Sequence, residues 1–196
     1  MLEDFRNKDE SYEIPCPIRK SYIEAIESIV PVDDIEKKDI ARAIRWLREV
    51  SAVNKQNNSD EHLGILTPVL SPDKSHTFLL QHRKANLWLP PGGHVDLGQT
   101  FVESALAEAE EELSMRKPIL LSTNPIFLSW TKTQGANAGH IDVTAWFLLA
   151  GNPEDSYLVQ EKEASDSAWI SIQKLLSLPE FSHLHRGFQK IQNLYF

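Results

Sequence analysis

Glu108, Glu111 and Glu112 share one stretch with Asp96, Glu103 and Glu110, and the window 85–115 that holds all six carboxylates contains no Lys or Arg. At about 100° per residue, Val102, Ala105, Leu106, Ala109 and Leu113 form one apolar helical arc, and Glu108, Glu111 and Glu112 fall on a separate arc of roughly 100°. A Glu-rich helix ordinarily presents such charges to solvent. Here, however, like charges at three- and four-residue spacing cost about 0.2–0.5 kcal/mol per pair, with no neighbouring cation in sequence to offset them. The helix, capped by Thr100, is entered through Pro90-Pro91-Gly92-Gly93-His94, where adjacent glycines permit close approach of backbone to a ligand. Three convergent carboxylates suit a hard divalent cation, Mg²⁺ or Mn²⁺, which also draws phosphate oxygens into its coordination.

Clustered carboxylates resist ionising together, so uptake of a cation should release protons and weaken at acid pH. The 196 residues carry a formal net charge of −8 and are 41% hydrophobic and 24% charged. That is ordinary globular usage, without a basic footprint for polymeric nucleic acid; a single nucleotide held through a cation fits it. Cys16 is the sole cysteine, which leaves no internal disulfide and no cysteine-based zinc site, and a reducing, cytoplasmic setting is expected. The acidic start lacks the basic and apolar runs of a signal peptide, and no stretch approaches the roughly 20 apolar residues of a membrane span. No GxSxG elbow supports Ser-His hydrolysis.

The acidic helix needs a sheet to sit on. Residues 17–50 read as two helices: Ile18, Tyr22, Ile26 and Ile29 recur at spacings of three to four, Pro31 interrupts, and Ile40, Ala43, Ile44, Leu47 and Val50 stripe a second helix. Asp33 and Glu36 occupy the N-cap and N3 positions of its capping box. The polar stretch 55–61 separates a helical extension, 1–58, from a main domain, 59–196. The period then shifts to strands. Residues 62–70 and 76–82 form a hairpin with Pro68 demoting part of the first strand, 117–130 and 140–150 are further apolar runs, and 167–171 is a short last strand. Terminal helices carry Ile172, Leu175 and Leu176, then Phe188, Ile191 and Leu194. The expected class is a layered α+β fold.

The stretch 93–115 resembles the Nudix box, GX5EX7REUXEEXGU, where U is a bulky aliphatic residue. Gly93, Glu108, Glu111 and Glu112 match fixed positions, whereas Gln99 stands in place of Glu, Ala107 of Arg and Ser114 of Gly. The strand FLLQHRK, the phrase LWLPPGGH and the later SAWISIQKLL resemble the family's surroundings of the box, so the likeness spans about residues 60–180. It implies a Nudix-type α/β/α sandwich with a mixed β-sheet, preceded here by the N-terminal helical extension, in which the box forms a cation-binding loop-helix-loop. It also implies hydrolysis of a diphosphate linkage in a nucleoside diphosphate derivative or related small molecule. On this likeness Glu111 and Glu112 are metal ligands, Glu108 is a third ligand or the general base, and the Gly93 carbonyl adds a ligand. In the family the box Arg and first Glu support the catalytic Glu. With Ala107 and Gln99 neither charge is left unpaired, but Glu108 loses an orienting group. The alternative reading is a nucleotide-binding or regulatory module that keeps the fold and has lost efficient turnover.

Arg83 or Lys84, from the preceding strand, is a candidate to substitute for the missing guanidinium. Arg83, His94 and His140 are the expected substrate contacts: His94 follows the glycines, and His140 with Asp142 starts a strand beside the 131–139 loop. Glu161 and Glu163 offer a general base on a later loop, although solvated loop charges are the preferred reading. Glu103 and Glu110 point away from the metal arc. Trp88, Phe127, Trp130 and Trp146 read as core before base-stacking platforms, and His183 and His185 as surface side chains. The N-terminal helices cover a sheet edge, shape the pocket or supply a homodimer interface; amphipathic stripes do not choose among these.

Overall fold

The computed structural model describes residues 13–133 and 139–196, so most of the 131–139 loop lies outside the described residues. Among the described residues the first helices are α1 (Cys16–Glu27) and α2 (Asp34–Glu49). Asp33 caps α2 as expected, its Oδ1 accepting the Glu36 N–H at 2.7 Å. The other half of the box differs: Glu36 Oε2 accepts from Val32 N–H at 2.6 Å, and Oε1 accepts from Lys190 Nζ at 2.7 Å and Leu128 N–H at 3.2 Å. The Glu36 carboxylate has been drawn into the interior, where it is needed more.

Ten strands follow. β1 (Glu61–Leu66) and β2 (Val69–Leu70) are one segment bent at Thr67 and Pro68, and β8 (Ile141–Trp146) and β9 (Leu149–Ala150) bend alongside it at Phe147 and Leu148. These two bent segments run parallel, β1 on β8 and β2 on β9. Pro68, which has no N–H to donate, marks the place where the chain leaves one sheet for the other. The first sheet has the order β5-β1-β8-β7, adding β5 (Gly92–His94) and β7 (Phe127–Lys132) as antiparallel edges. The second has the order β10-β3-β2-β9-β6, from β10 (Ala164–Ser171), β3 (His76–His82) and β6 (Ile119–Leu120), with β4 (Leu87–Leu89) also on β3.

The expected hairpin is therefore made by β2 and β3 alone, pairing Val69 with Phe78 and Leu70 with Thr77. The run 117–130 is not one strand but two, β6 and β7, because the chain turns at Ser122–Asn124, where the Asn124 N–H donates to Ser122 Oγ. The last strand starts three residues earlier than the expected 167, at Ala164, and carries a register shift between Ala164 and Ser167.

Helices cover the sheets from both sides. α3 (Phe101–Leu113) buries Phe101 and Ala105 with Leu63, Ile65, Val143 and Ala145, in a core shared with Tyr22, Ile26, Ala43 and Leu47 of the first two helices. Its C-terminal half buries Ala109 and Leu113 against Val69, Leu80 and Leu149. The opposite side packs Phe127, Trp146 and Leu148 against α4 (Ile172–Ser177), a 3₁₀ turn (Pro179–Leu184) and α5 (His185–Tyr195). Trp146 and Phe127 are thus core residues, and Gly187 lets α5 approach closely, since a Cβ there would lie 2.4 Å from the Trp146 ring. The edge of β7 is closed by Glu36, which takes up the Leu128 N–H, and α5 is tied back to α2 by a bidentate Arg186–Asp33 pair at 2.8 and 2.9 Å. His185, expected at the surface, instead places Nε2 3.1 Å from the carbonyls of both Leu175 and Leu178. Among the described residues no helix is long and apolar enough to cross a membrane.

Candidate active site

The sequence starts α3 with a complete capping box: Thr100 Oγ1 accepts the Glu103 N–H, and Glu103 Oε2 accepts the Thr100 N–H at 2.7 Å. Glu103 is thereby spent on the helix start, and Glu110 is exposed, as the helical wheel requires. With Ala105, Ala109 and Leu113 seated on the sheets, Glu108 and Glu112 come down beside β5. Gly93 makes room for them: a Cβ built there would lie 2.1 Å from Glu108 Oε1. Glu112 is 7% exposed, and its Oε2 accepts the Gly92 N–H at 2.9 Å. Gly92 is itself fixed by sterics, since a Cβ would meet the Ile65 carbonyl oxygen at 2.2 Å.

Burial, then the charges of Glu112, Glu111, Asp96 and Glu163, push the Glu108 carboxyl up to about 8. Burial also raises Glu112, to about 7, against the pull of the Gly92 hydrogen bond and with Glu163 and Glu111 adding to it. Among the described residues no ion pair within 4.0 Å involves Glu108, Glu111 or Glu112; the basic groups nearby are engaged with Glu163. Two oxygen donors, on half-buried Glu108 and buried Glu112, thus lie against the Gly92–Gly93 backbone with no ion-pair partner among the described residues. That donor set fits a hard divalent cation.

The later loop differs from its expected role. Glu163 is half-buried, and its charge bears on both Glu108 and Glu112. Lys84 Nζ lies 3.5 Å from Glu163 Oε2 and lowers Glu112 by its charge, whereas Arg83 is exposed and donates Nε–H to the Glu161 carbonyl at 2.6 Å. Lys84, then, is the cation that reaches toward the carboxylates. The loop is anchored on α3 itself: Gln160 Nε2 donates to the Glu111 carbonyl at 2.5 Å and the Leu158 N–H to the Leu113 carbonyl at 3.2 Å.

Gln99 has found neutral partners. Ser104 Oγ donates to its Oε1 at 2.7 Å, and the Tyr22 hydroxyl donates to its backbone carbonyl. Ala107 leaves no guanidinium for a carboxylate at position 99 to meet.

His94 and His140 are not with the carboxylates. They gather with His62 and Asp142 on the other face of the first sheet. Burial, reinforced by His62, pushes the His94 imidazole down to about 4. His62, which no sequence pattern singled out, is fully buried. A depression of about 600 Å³ lined by Trp46, Val50, Asp60, Lys132 and Ile141 lies against α2 and contains none of the box carboxylates.

A NUDIX domain model matches residues 60–190. The chain belongs to the Nudix family, a family of hydrolases. It is similar to the m7GpppN-mRNA hydrolase NUDT17 of Xenopus laevis, with 52% identity over 94 residues, covering 44% of this chain and 30% of that protein. The chain spans about a third of the length of the curated relatives it matches. Among solved structures, a C. elegans Ap4A hydrolase binary complex superposes with a TM-score of 0.57 at 17% identity, covering 67% of this chain and 96% of that one. The E. coli dihydroneopterin triphosphate pyrophosphohydrolase gives 0.54 at 19%, covering 68% and 94%. At these identities the likeness concerns the fold.

Proposed function

We propose that this chain hydrolyses a diphosphate linkage in a nucleoside diphosphate derivative or related small molecule, with Mg²⁺ or Mn²⁺ held by Glu111, Glu112, Glu108 and the Gly93 carbonyl. The observation that carries this reading is the pair of carboxylates, half-buried Glu108 against Gly93 and buried Glu112 on the Gly92 N–H, without an ion-pair partner among the described residues. When bound, a divalent cation lowers the pKa of a water and neutralises phosphoryl charge. Glu112 keeps one oxygen for the cation, because the other is held by the Gly92 N–H. Glu108 is the third ligand or, as an ionised carboxylate, the acceptor for a proton, since general bases work best with a pKa near the operating pH. Lys84 and Arg83 are the cations available to phosphate oxygens. A substrate with a small footprint agrees with the net charge of −8, and the likeness to a relative named as an m7GpppN-mRNA hydrolase supports a nucleotide derivative.

A second reading, a binding module with little turnover, has one observation in its favour: Gln99 and Ala107 leave Glu108 without the charged support its neighbours in the family have. The two separate in one experiment, release of phosphate or mononucleotide from a panel of diphosphate-linked nucleotides with Mg²⁺ and Mn²⁺. We expect turnover that falls more than about 100-fold in Glu111→Gln/Glu112→Gln. Metal binding without turnover on any member of the panel would favour the module.

A further inference from the structure

We propose that His62, His94, His140 and Asp142 form a second metal site, matched to Zn²⁺, on the sheet face opposite the box carboxylates. Strand register builds it. His62 pairs with Asp142 across the parallel β1–β8 ladder, and Gly64 pairs with His94 across β1–β5. Directly paired residues share a face, and residues two apart along a strand do as well. His62, His94 and Asp142 therefore point the same way, while Gly93, whose Cβ would run into Glu108, points the other. One edge strand separates the two groups of ligands.

The four donor atoms lie within 4.8 Å of one another. Asp142 Oδ1 is 3.1 Å from His62 Nε2, 3.3 Å from His140 Nε2 and 3.9 Å from His94 Nε2. Metal–ligand bonds of about 2.0–2.2 Å in a tetrahedron place neighbouring donors about 3.3–3.6 Å apart, so small side-chain rotations close the set. Three imidazoles and one carboxylate are a borderline-soft nitrogen-rich set, suited to zinc rather than to magnesium.

A closed histidine cluster held by hydrogen bonds would satisfy its own buried atoms. This one does not. Among the described residues His62 Nε2 and Asp142 Oδ1 are both buried, lie 3.1 Å apart and make no aligned hydrogen bond. Leaving such atoms unmatched in the interior is costly. The rest of the group is arranged to turn donors inward: His62 Nδ1 is 3.2 Å from the Asn58 carbonyl, which fixes the N–H there and leaves Nε2 a lone pair, and Thr133 Oγ1 donates to Asp142 Oδ2 at 2.8 Å. Such outer partners hold metal ligands in orientation. The site has an opening at His94, whose side chain is 39% exposed, while that of His62 is fully buried. An ion here clamps β5 onto β1 and β8 one residue from Gly93.

The test is metal binding by the EDTA-stripped full chain in excess Mg²⁺, read by Zn²⁺ competition with a chromogenic chelator and by the visible spectrum of the Co²⁺ form. We expect one equivalent of Zn²⁺ and the intense bands of four-coordinate Co²⁺. His94→Gln and His140→Gln each weaken Zn²⁺ by more than about 100-fold, and Thr133→Val by about 10- to 100-fold, with circular dichroism unchanged. Glu111→Gln/Glu112→Gln, which removes box ligands, leaves stoichiometry and spectrum intact, so the result is independent of hydrolysis. Absence of Zn²⁺ uptake by the folded protein, uptake undiminished in His94→Gln and His140→Gln, or uptake abolished by the box variant would each overturn the site.

Discussion

Glu36 and Glu112 are both buried glutamates on helices, at 0% and 7% exposure, yet they behave as opposites. Glu36 receives Lys190 Nζ, the Leu128 N–H and the Val32 N–H, a full set of partners joining α2, β7 and α5. Glu112 receives one backbone N–H and stands beside Glu108, Glu111 and Glu163. Burial is common to both, so burial alone does not mark a site. What separates the two is whether the protein itself supplies the positive charge.

If that distinction is right, the largest effect belongs to Glu36→Ala. It leaves Lys190 buried without its partner and should lower unfolding free energy by about 3–5 kcal/mol in urea titration, with metal affinity of the remaining folded protein unchanged. Loss of metal affinity without loss of stability would erase the contrast. Gly93→Ala should do the reverse. Its Cβ displaces the Glu108 carboxylate, the movable end of a flexible side chain, so the thermal midpoint stays near wild type while Mn²⁺ affinity by calorimetry falls by more than about 10-fold.

The pH response sharpens the comparison further. Glu108 and Glu112 titrate near 8 and 7 in the fold but near 4.5 when unfolded, so between those values the folded state binds more protons and stability declines as pH rises. His94, depressed to about 4 from 6.5, has the opposite sign below 6.5 and is silent above it. Melting in EDTA from pH 6.5 to 8 should therefore show a fall that Glu108→Gln reduces and Mn²⁺ counteracts; a flat wild-type profile would dismiss the uncompensated pair. The smallest effect is Thr100→Ala, about 1 kcal/mol for a lost cap by urea unfolding, with metal affinity unaltered.

Much of the arrangement of the carboxylates was legible because it is local. One helix, with an apolar arc and three glutamates at fixed angles, needs only the helical period, and Thr100 announces its own cap. The histidine group was only half legible. His94, His140 and Asp142 drew notice, but His62 did not, because it meets Asp142 through a parallel pairing between segments eighty residues apart whose register no local pattern records. Glu163 was misjudged as a solvated loop charge for a related reason: its burial follows from where Gln160 and Leu158 attach the loop to α3. The division of 117–130 into two strands likewise depends on which sheet each half joins.

That attachment has a consequence for motion. The loop from Leu158 to Gln160 supplies the donors that the last turn of α3 lacks, so loop and helix end form one cooperative unit and open together. Amide exchange in the last turn of α3 should then follow the loop's opening rate rather than the helix's intrinsic fraying. Any excursion that carries Glu163 away from the carboxylates also loosens the turn bearing Glu111 and Glu112, which makes opening of the loop and release of whatever the glutamates hold a single event.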